Sequence, residues 1–193
     1  MIPVLTIDGP SGVGKGTVAN IMAHELNWNL LDSGAIYRAF ALAASKRNIQ
    51  IDNTDELLKL ASNLDLRFES DPSNNKLSVY LDNSEVSVEL RTEETAERAS
   101  KFAMIGALRE SLLLRQQKFK QLPGLVADGR DMGTVVFVDA PFKVFLTANV
   151  EERARRRLKQ LQDKGITGIL SQTLEEVQKR DQRDVSRKNS PLR

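Results

Sequence analysis

The feature that most constrains this chain is a nine-residue run near its start, Gly9-Pro10-Ser11-Gly12-Val13-Gly14-Lys15-Gly16-Thr17. It fits G-x-x-x-x-G-K, the pattern of a phosphate-binding loop. The glycines let consecutive backbone N–H groups turn inward around an anion. The lysine adds a compact positive charge, and a following helix offers its N-terminus. Such a loop needs a strand before it and a helix after it, and both patterns are present. Val4–Asp8 is a short apolar run ending in an acid, read as a buried strand, and residues 16–26 carry Val18, Ile21, Met22 and Leu26 at helical spacing. One departure matters. Gly16 follows the lysine and Thr17 comes next, so the hydroxyl that usually meets magnesium is displaced by one position. The metal's ligands are then mainly phosphates and water, which magnesium tolerates. Two rival readings fall short. Gly14-Lys15-Gly16-Thr17-Val18-Ala19 fits the dinucleotide form G-x-G-x-x-A with Asp32 in reach, but leaves Gly9, Gly12 and Lys15 unexplained. A guanine-reading N-K-x-D has one near match, Asn75-Lys76-Leu77-Ser78, which ends in Ser.

Beyond the loop, the pattern alternates. Residues 28–31 are another short apolar run, closed by Asp32-Ser33-Gly34, and a helix fits 35–46. Thr54-Asp55-Glu56 caps a third helix, running to about Leu64. Between 65 and 91 apolar and polar residues alternate around a turn at Pro72-Ser73-Asn74-Asn75, which predicts a small antiparallel insert. Residues 92–122 read as helical with an interruption near Gly106. Residues 125–127 read as a strand, 143–147 as a fourth core strand, and 151–163 as a charged helix. Gly165 and Gly168 break that helix, and a last one covers about 173–184. Strands alternating with helices predict an α/β fold with a parallel sheet covered on both faces.

Composition narrows the chemistry further. At 193 residues the chain is most simply one domain. It has no cysteine and one histidine, His24. Disulfide scaffolds, thiol nucleophiles, iron–sulfur clusters and His- or Cys-rich metal sites are thereby excluded. His24 falls inside the helix after the loop and reads as a surface residue. No apolar run approaches membrane-spanning length, and the N-terminus does not resemble a signal peptide, so a cytoplasmic location is expected. The net charge of +2 divides unevenly: residues 1–150 carry −3 and residues 151–193 carry +5. Aromatic residues end at Phe145, so the basic end lacks the stacking rings of a single-strand nucleic-acid platform.

Polar residues cluster where ligands gather in an open parallel sheet, at the strands' carboxyl ends. Asp32, Ser33, Tyr37 and Arg38 follow the second strand; Asp128, Arg130 and Asp131 follow the strand at 125–127. Arg153, Arg156 and Arg157 open the charged helix, and Arg180, Asp181, Arg183, Asp184 and Arg187 follow the glycine break. A solvated helix face could carry such charges in pairs. Phosphoryl transfer, however, needs positive charge around the migrating group, and an arginine-bearing segment supplies it.

In this order the residues resemble bacterial cytidylate kinases over essentially the whole chain. The likeness lies in the loop at 9–17, Leu-Asp-Ser-Gly-Ala-Ile-Tyr-Arg at 31–38, Ala-Asp-Gly-Arg-Asp-Met-Gly-Thr-Val-Val-Phe at 127–137, and Arg-Asp-x-Arg-Asp-x-x-Arg at 180–187. The resemblance implies a single three-layer phosphate-loop kinase domain. Its core would be residues 1–34 and 123–150, its nucleoside-monophosphate-binding part 35–122 with the β insert at about 65–91, and its helical lid 151–190. It implies ATP and Mg2+ as donor system, CMP or dCMP as acceptor, and a cytoplasmic monomer that binds no nucleic acid. The loop from Gly9 through Thr17 would hold ATP. Ser33, Ser100, Arg109, Asp131 and Asp184 would meet the cytidine, with Tyr37 beside them. Arg38, Arg130 and Arg187 would hold its phosphate. Lys15, Asp131, Arg130, Arg153, Arg157 and Arg180 form the expected catalytic set, the last three lid residues gripping the transferring phosphoryl. Asp131 would offer cytosine an acceptor, and Arg109 with Ser100 donors. The family also continues past Pro191-Leu192 with a further strand and helix.

Overall fold

A computed structural model describes residues 2–71, 76–163, 165, 167–187 and 192. β1 (Val4–Asp8) is buried along its whole length, as a run without alternation requires of a strand covered on both faces. After the loop come α1 (Lys15–Leu26), β2 (Asn29–Asp32), α2 (Ser33–Lys46) and α3 (Thr54–Ser62). The Asp32 carboxylate caps α2, accepting from the Ala35 amide at 2.8 Å. α3 stops at Ser62, short of Leu64, and its cap is Asn53, whose side chain accepts from the Glu56 amide.

The insert consists of β3 (Leu66–Asp71), β4 (Lys76–Leu81) and β5 (Ser84–Glu85), an antiparallel sheet in that order. The turn expected at Pro72-Ser73-Asn74-Asn75 lies outside the described residues. Then follow α4 (Glu93–Phe102), α5 (Gly106–Gln117), β6 (Leu125–Gly129), a π-helical turn at Met132–Val136, and β7 (Phe142–Phe145). α6 (Val150–Gln162) and α7 (Leu170–Ser186) pack on each other.

The main sheet has the order β2-β6-β1-β7, with every pairing parallel. This order carries β1 and β6 to the centre, side by side in the register Ile7↔Asp128 and Asp8↔Gly129. The loop after β1 and the acidic turn after β6 therefore emerge at one end of the sheet. On one face, α1 seats Ala19 and Ala23 against Leu5, Ile7 and Val126. On the other, Val4, Leu31, Leu125 and Ala127 meet the Phe40 and Phe102 rings, which pack edge to face at 5.3 Å.

Two expectations change here. Of the apolar residues at helical spacing in α1 only Met22 packs on the core: Val18, Leu26 and, at 55%, Ile21 are exposed. The phosphate loop fixes where α1 begins, and the helix then lies close enough to the sheet that alanines make the contact. Second, β7 belongs to the main sheet but only as an edge strand. β1 is its one partner among the described residues, and Phe142, Val144 and Phe145 stay exposed. His24 is on the α1 surface, as its place in the sequence suggested.

Candidate active site

The loop between β1 and α1 takes the conformation its glycines permit. Gly9, Gly12 and Gly14 all have positive φ. At Gly9 a Cβ would stand 2.2 Å from the Leu146 carbonyl oxygen, so the chain passes β7 too closely for any side chain. Lys15 turns back over the loop and donates from Nζ to the Pro10 carbonyl at 2.9 Å. Its ammonium also stands 3.9 Å from Asp128. Burial, reinforced by Arg130, lowers Lys15 to about 7, while burial raises Asp128 to about 7. An anionic ligand in the loop would favour the charged lysine again.

A cleft of about 800 Å³ runs from this loop across the ends of β2 and β6 to α4 and α5. Ser11, Gly12, Lys15, Gly16 and Thr17 form one end of its wall. Ser33, Tyr37, Ser100, Arg109 and Asp131 form the other, with Arg38, Arg130, Arg157, Arg180, Asp184 and Arg187 along its length. Gly9, Pro10, Val13, Gly14 and Arg153 do not line it. Arg153 grips Asp181 of α7 at 3.0 and 2.6 Å and donates to the Ser11 carbonyl at 3.1 Å. It ties both last helices to the phosphate loop without reaching the cleft.

The far end is a buried polar network. Arg109, on the inner face of α5 with Leu108 and Leu112, forms an ion pair with Asp131 and donates to the Ala103 carbonyl at 3.3 Å. Its guanidinium lies 5.5 Å over the Tyr37 ring. Burial pushes the Tyr37 phenol up to about 12, so it stays protonated. The Asp131 turn is held from beneath by Asp8, whose carboxylate accepts from the Met132 and Gly133 amides at 2.9 and 2.8 Å. Burial raises Asp8, and those two amides oppose the rise.

Positive charge concentrates between the two ends. Arg38 is held by Asp32 at 2.8 Å, and Arg130 by Asp184 at 2.8 Å. Burial alone would raise Asp184, but Arg130 beside it holds the carboxyl below its usual range. Burial, then Arg130, lowers Arg180 to about 10, and burial also lowers Arg187 and Arg157. Arg157 pairs with Glu93 of α4, and Arg183 donates to the Ser100 hydroxyl at 3.2 Å. Through these contacts α6 and α7 lie across the cleft. Four buried groups lining it lack any hydrogen-bond partner: Tyr37 Oη, Arg109 Nε, Arg180 Nε and Arg187 Nη2. Leaving buried donors unpaired costs about 1–3 kcal/mol each, so this many in one cleft marks the place of an acceptor-rich ligand.

Sequence reasoning missed part of the support behind this wall. Gln116 is buried and accepts from the Ser33 hydroxyl at 2.6 Å. Its one signal is a glutamine at an inner position of α5, eight residues after Leu108. Asp8 and Asp181 act from behind the surface. Arg156, already singled out in the sequence with Arg153 and Arg157, lines the cleft as well.

A parallel sheet with a phosphate loop at its carboxyl end, arginines folded over that loop and a buried polar network at the far end of the same cleft defines a phosphate-loop nucleotide kinase. The sequence profile described as Cytidylate kinase matches residues 5–193. Proteins named cytidylate kinase from Escherichia coli O1:K1, Escherichia coli K12 strain DH10B and Shigella boydii serotype 18 are each 54% identical over 190 residues, covering 98% of this chain and 83% of the relative. The chain belongs to the cytidylate kinase family.

Proposed function

We propose that this chain transfers the γ-phosphoryl group of ATP to CMP or dCMP, giving ADP and CDP or dCDP, through the cleft just described. The observation that carries the reading is the join of two unlike sites in one cavity. Lys15 and the loop amides form an anion cradle at one end, and Arg109, Asp131, Ser33 and Ser100 form a directional polar pocket at the other. Arg38, Arg130, Arg180 and Arg187 lie between them.

In this reading the loop amides and Lys15 hold the ATP β and γ phosphates. Arg38, Arg130 and Arg187 hold the phosphate of CMP so that one of its oxygens faces the γ-phosphorus. That oxygen is already ionised, so the reaction needs no strong base. Arg157 and Arg180 neutralise charge that develops on the migrating group, in a cleft from which α6 and α7 exclude water. Arg153 positions both helices against the loop. Mg2+ carried by ATP would be held from the protein side by Thr17 and Asp128, which line the cleft, and would supply neutralising charge at the phosphates. Asp131 accepts from the cytosine amino group, while Arg109 and Ser100 donate to its ring. Uracil reverses that pattern and would leave buried groups unpaired. The protein acts on free nucleotides as a cytoplasmic monomer and needs no nucleic acid; no helix among the described residues is long and apolar enough to cross a membrane.

A coupled assay of ADP release, run with each common nucleoside monophosphate, tests the assignment. CMP and dCMP should turn over efficiently and UMP poorly. A better acceptor of another class would show a different kinase on the same core. Nucleotide binding with no turnover would show a nucleotide-gated module.

A further inference from the structure

A second cleft, of about 1010 Å³, opens on the opposite end of β2 from the catalytic one. We propose that it is a separate binding site for a small aromatic anion, that is, a planar ring bearing a phosphate, sulfonate or carboxylate. Its walls come from α1, β2, β3, α5 and the segment after α5, and its characteristic residues are Trp28, Phe68, Leu114, Arg115, Lys118 and Phe119.

Two observations point to that ligand class. The first is a wall of rings. Phe68 and Phe119 meet edge to face at 5.4 Å, and Trp28 lines the same cleft. The Trp28 ring is fixed by its fit against Gly124, where a Cβ would come within 2.4 Å of it. A rigid aromatic surface of this kind favours a flat ligand, because stacking it requires no ordering of the protein. The second is charge of one sign. Arg115, Lys118 and His24 line the cleft and no acidic residue does. His24 stands beside Glu25, and Arg115 donates one Nη2 bond to the Leu64 carbonyl, but no carboxylate pairs with Lys118 among the described residues. A cation beside aromatic rings attracts an anion and leaves the ligand's own ring to the aromatic side chains. A purely apolar ligand would leave the cations unused, and an inorganic anion would leave the rings in water. An aromatic anion satisfies both.

The site comes with its own reporter. Trp28 is the one tryptophan of the chain and lines this cleft, not the catalytic one. The probe is 8-anilinonaphthalene-1-sulfonate, titrated against the full chain with CMP and a non-hydrolysable ATP analogue at saturation. The expected result is saturable, one-to-one quenching of Trp28 emission by energy transfer. Lys118→Glu should weaken it at least tenfold while turnover of CMP stays within twofold. Ser111→Trp cannot serve as a reporter, but it fills the cleft and should abolish the enhanced emission of the bound dye. The neutral analogue N-phenyl-1-naphthylamine should bind at least tenfold more weakly than the sulfonate. Any of three results overturns the proposal: quenching that does not saturate, equal affinity in Lys118→Glu, or displacement of the dye by the two nucleotides. Trp28 emission that changes with protein concentration, alongside dimers in sedimentation, would also overturn it, because a second copy would then cover the cleft.

Discussion

Replacing Arg109 by methionine removes one half of the buried pair on which the proposed base reading rests. The side chains of Arg109 and Asp131 are 8% and 5% exposed. Methionine keeps most of the stem's packing against Tyr37 but offers no donor. The Ala103 carbonyl loses a bond, and Asp131 loses its bonded partner, keeping only the more distant Arg187 opposite it and Asp8 as a like-charged neighbour. Breaking one side of a buried ion pair costs about 3–5 kcal/mol, because the remaining charge is uncompensated. At about 2–4 °C per kcal/mol for a chain of this size, the thermal midpoint should fall by about 6–20 °C. The Arg109→Met, Asp131→Leu double variant removes both charges, and it should recover at least half of that loss, since desolvation of such a pair roughly balances its attraction. Thermal unfolding followed by circular dichroism, on both single variants and the double, measures the cycle. A fall of under about 2 °C in Arg109→Met, well below the loss expected from breaking a buried pair, would refute the reasoning. A double variant no better than the single would do the same. In the enzyme assay, kcat/KM for CMP should drop far more than the affinity for ATP changes.

Lys15→Met should leave the fold intact and lower kcat by about 10²–10³, the usual effect of losing a preorganised charge at the reacting group; near-normal turnover would contradict the phosphate-loop assignment. Asp128 in the folded chain binds its proton up to about 7, whereas its ordinary value is 3.8. The folded state thus holds a proton that the unfolded chain has released, and the stability contributed by Asp128 falls as pH rises through that window. Urea unfolding at several pH values should show a shallower decline in Asp128→Asn than in the parent, and equal slopes would exclude the effect. Amide exchange in α7 should slow when CMP and an ATP analogue are both bound, because Arg180 and Arg187 gain acceptors for donors that now lack them. Identical exchange with and without nucleotides would show that α7 does not close on them.

How much of this was legible in the sequence follows from how far apart the cooperating atoms lie along the chain. The phosphate loop acts through consecutive backbone amides, so its glycines, its lysine and its place between a strand and a helix can be read from residues 4–26 alone. The polar clusters at 32–38 and 128–131 could be read too, because a parallel sheet delivers the ends of all its strands to one side. The burial of α1 could not. Whether Ile21 or Ala19 faces the sheet depends on how closely the helix lies, and the loop and β1 set that distance. The same holds for β7, whose composition suits a core strand but whose exposure depends on which strands flank it. Arg109 and Asp131 stand 22 positions apart. Ser33 and Gln116 stand 83 apart, and Arg153 reaches Ser11 across 142. No local pattern specifies such partners. A side chain's propensity is a property of its own neighbourhood in sequence, whereas a buried hydrogen bond requires two backbones at one fixed separation, and only the packed sheet and helices impose that.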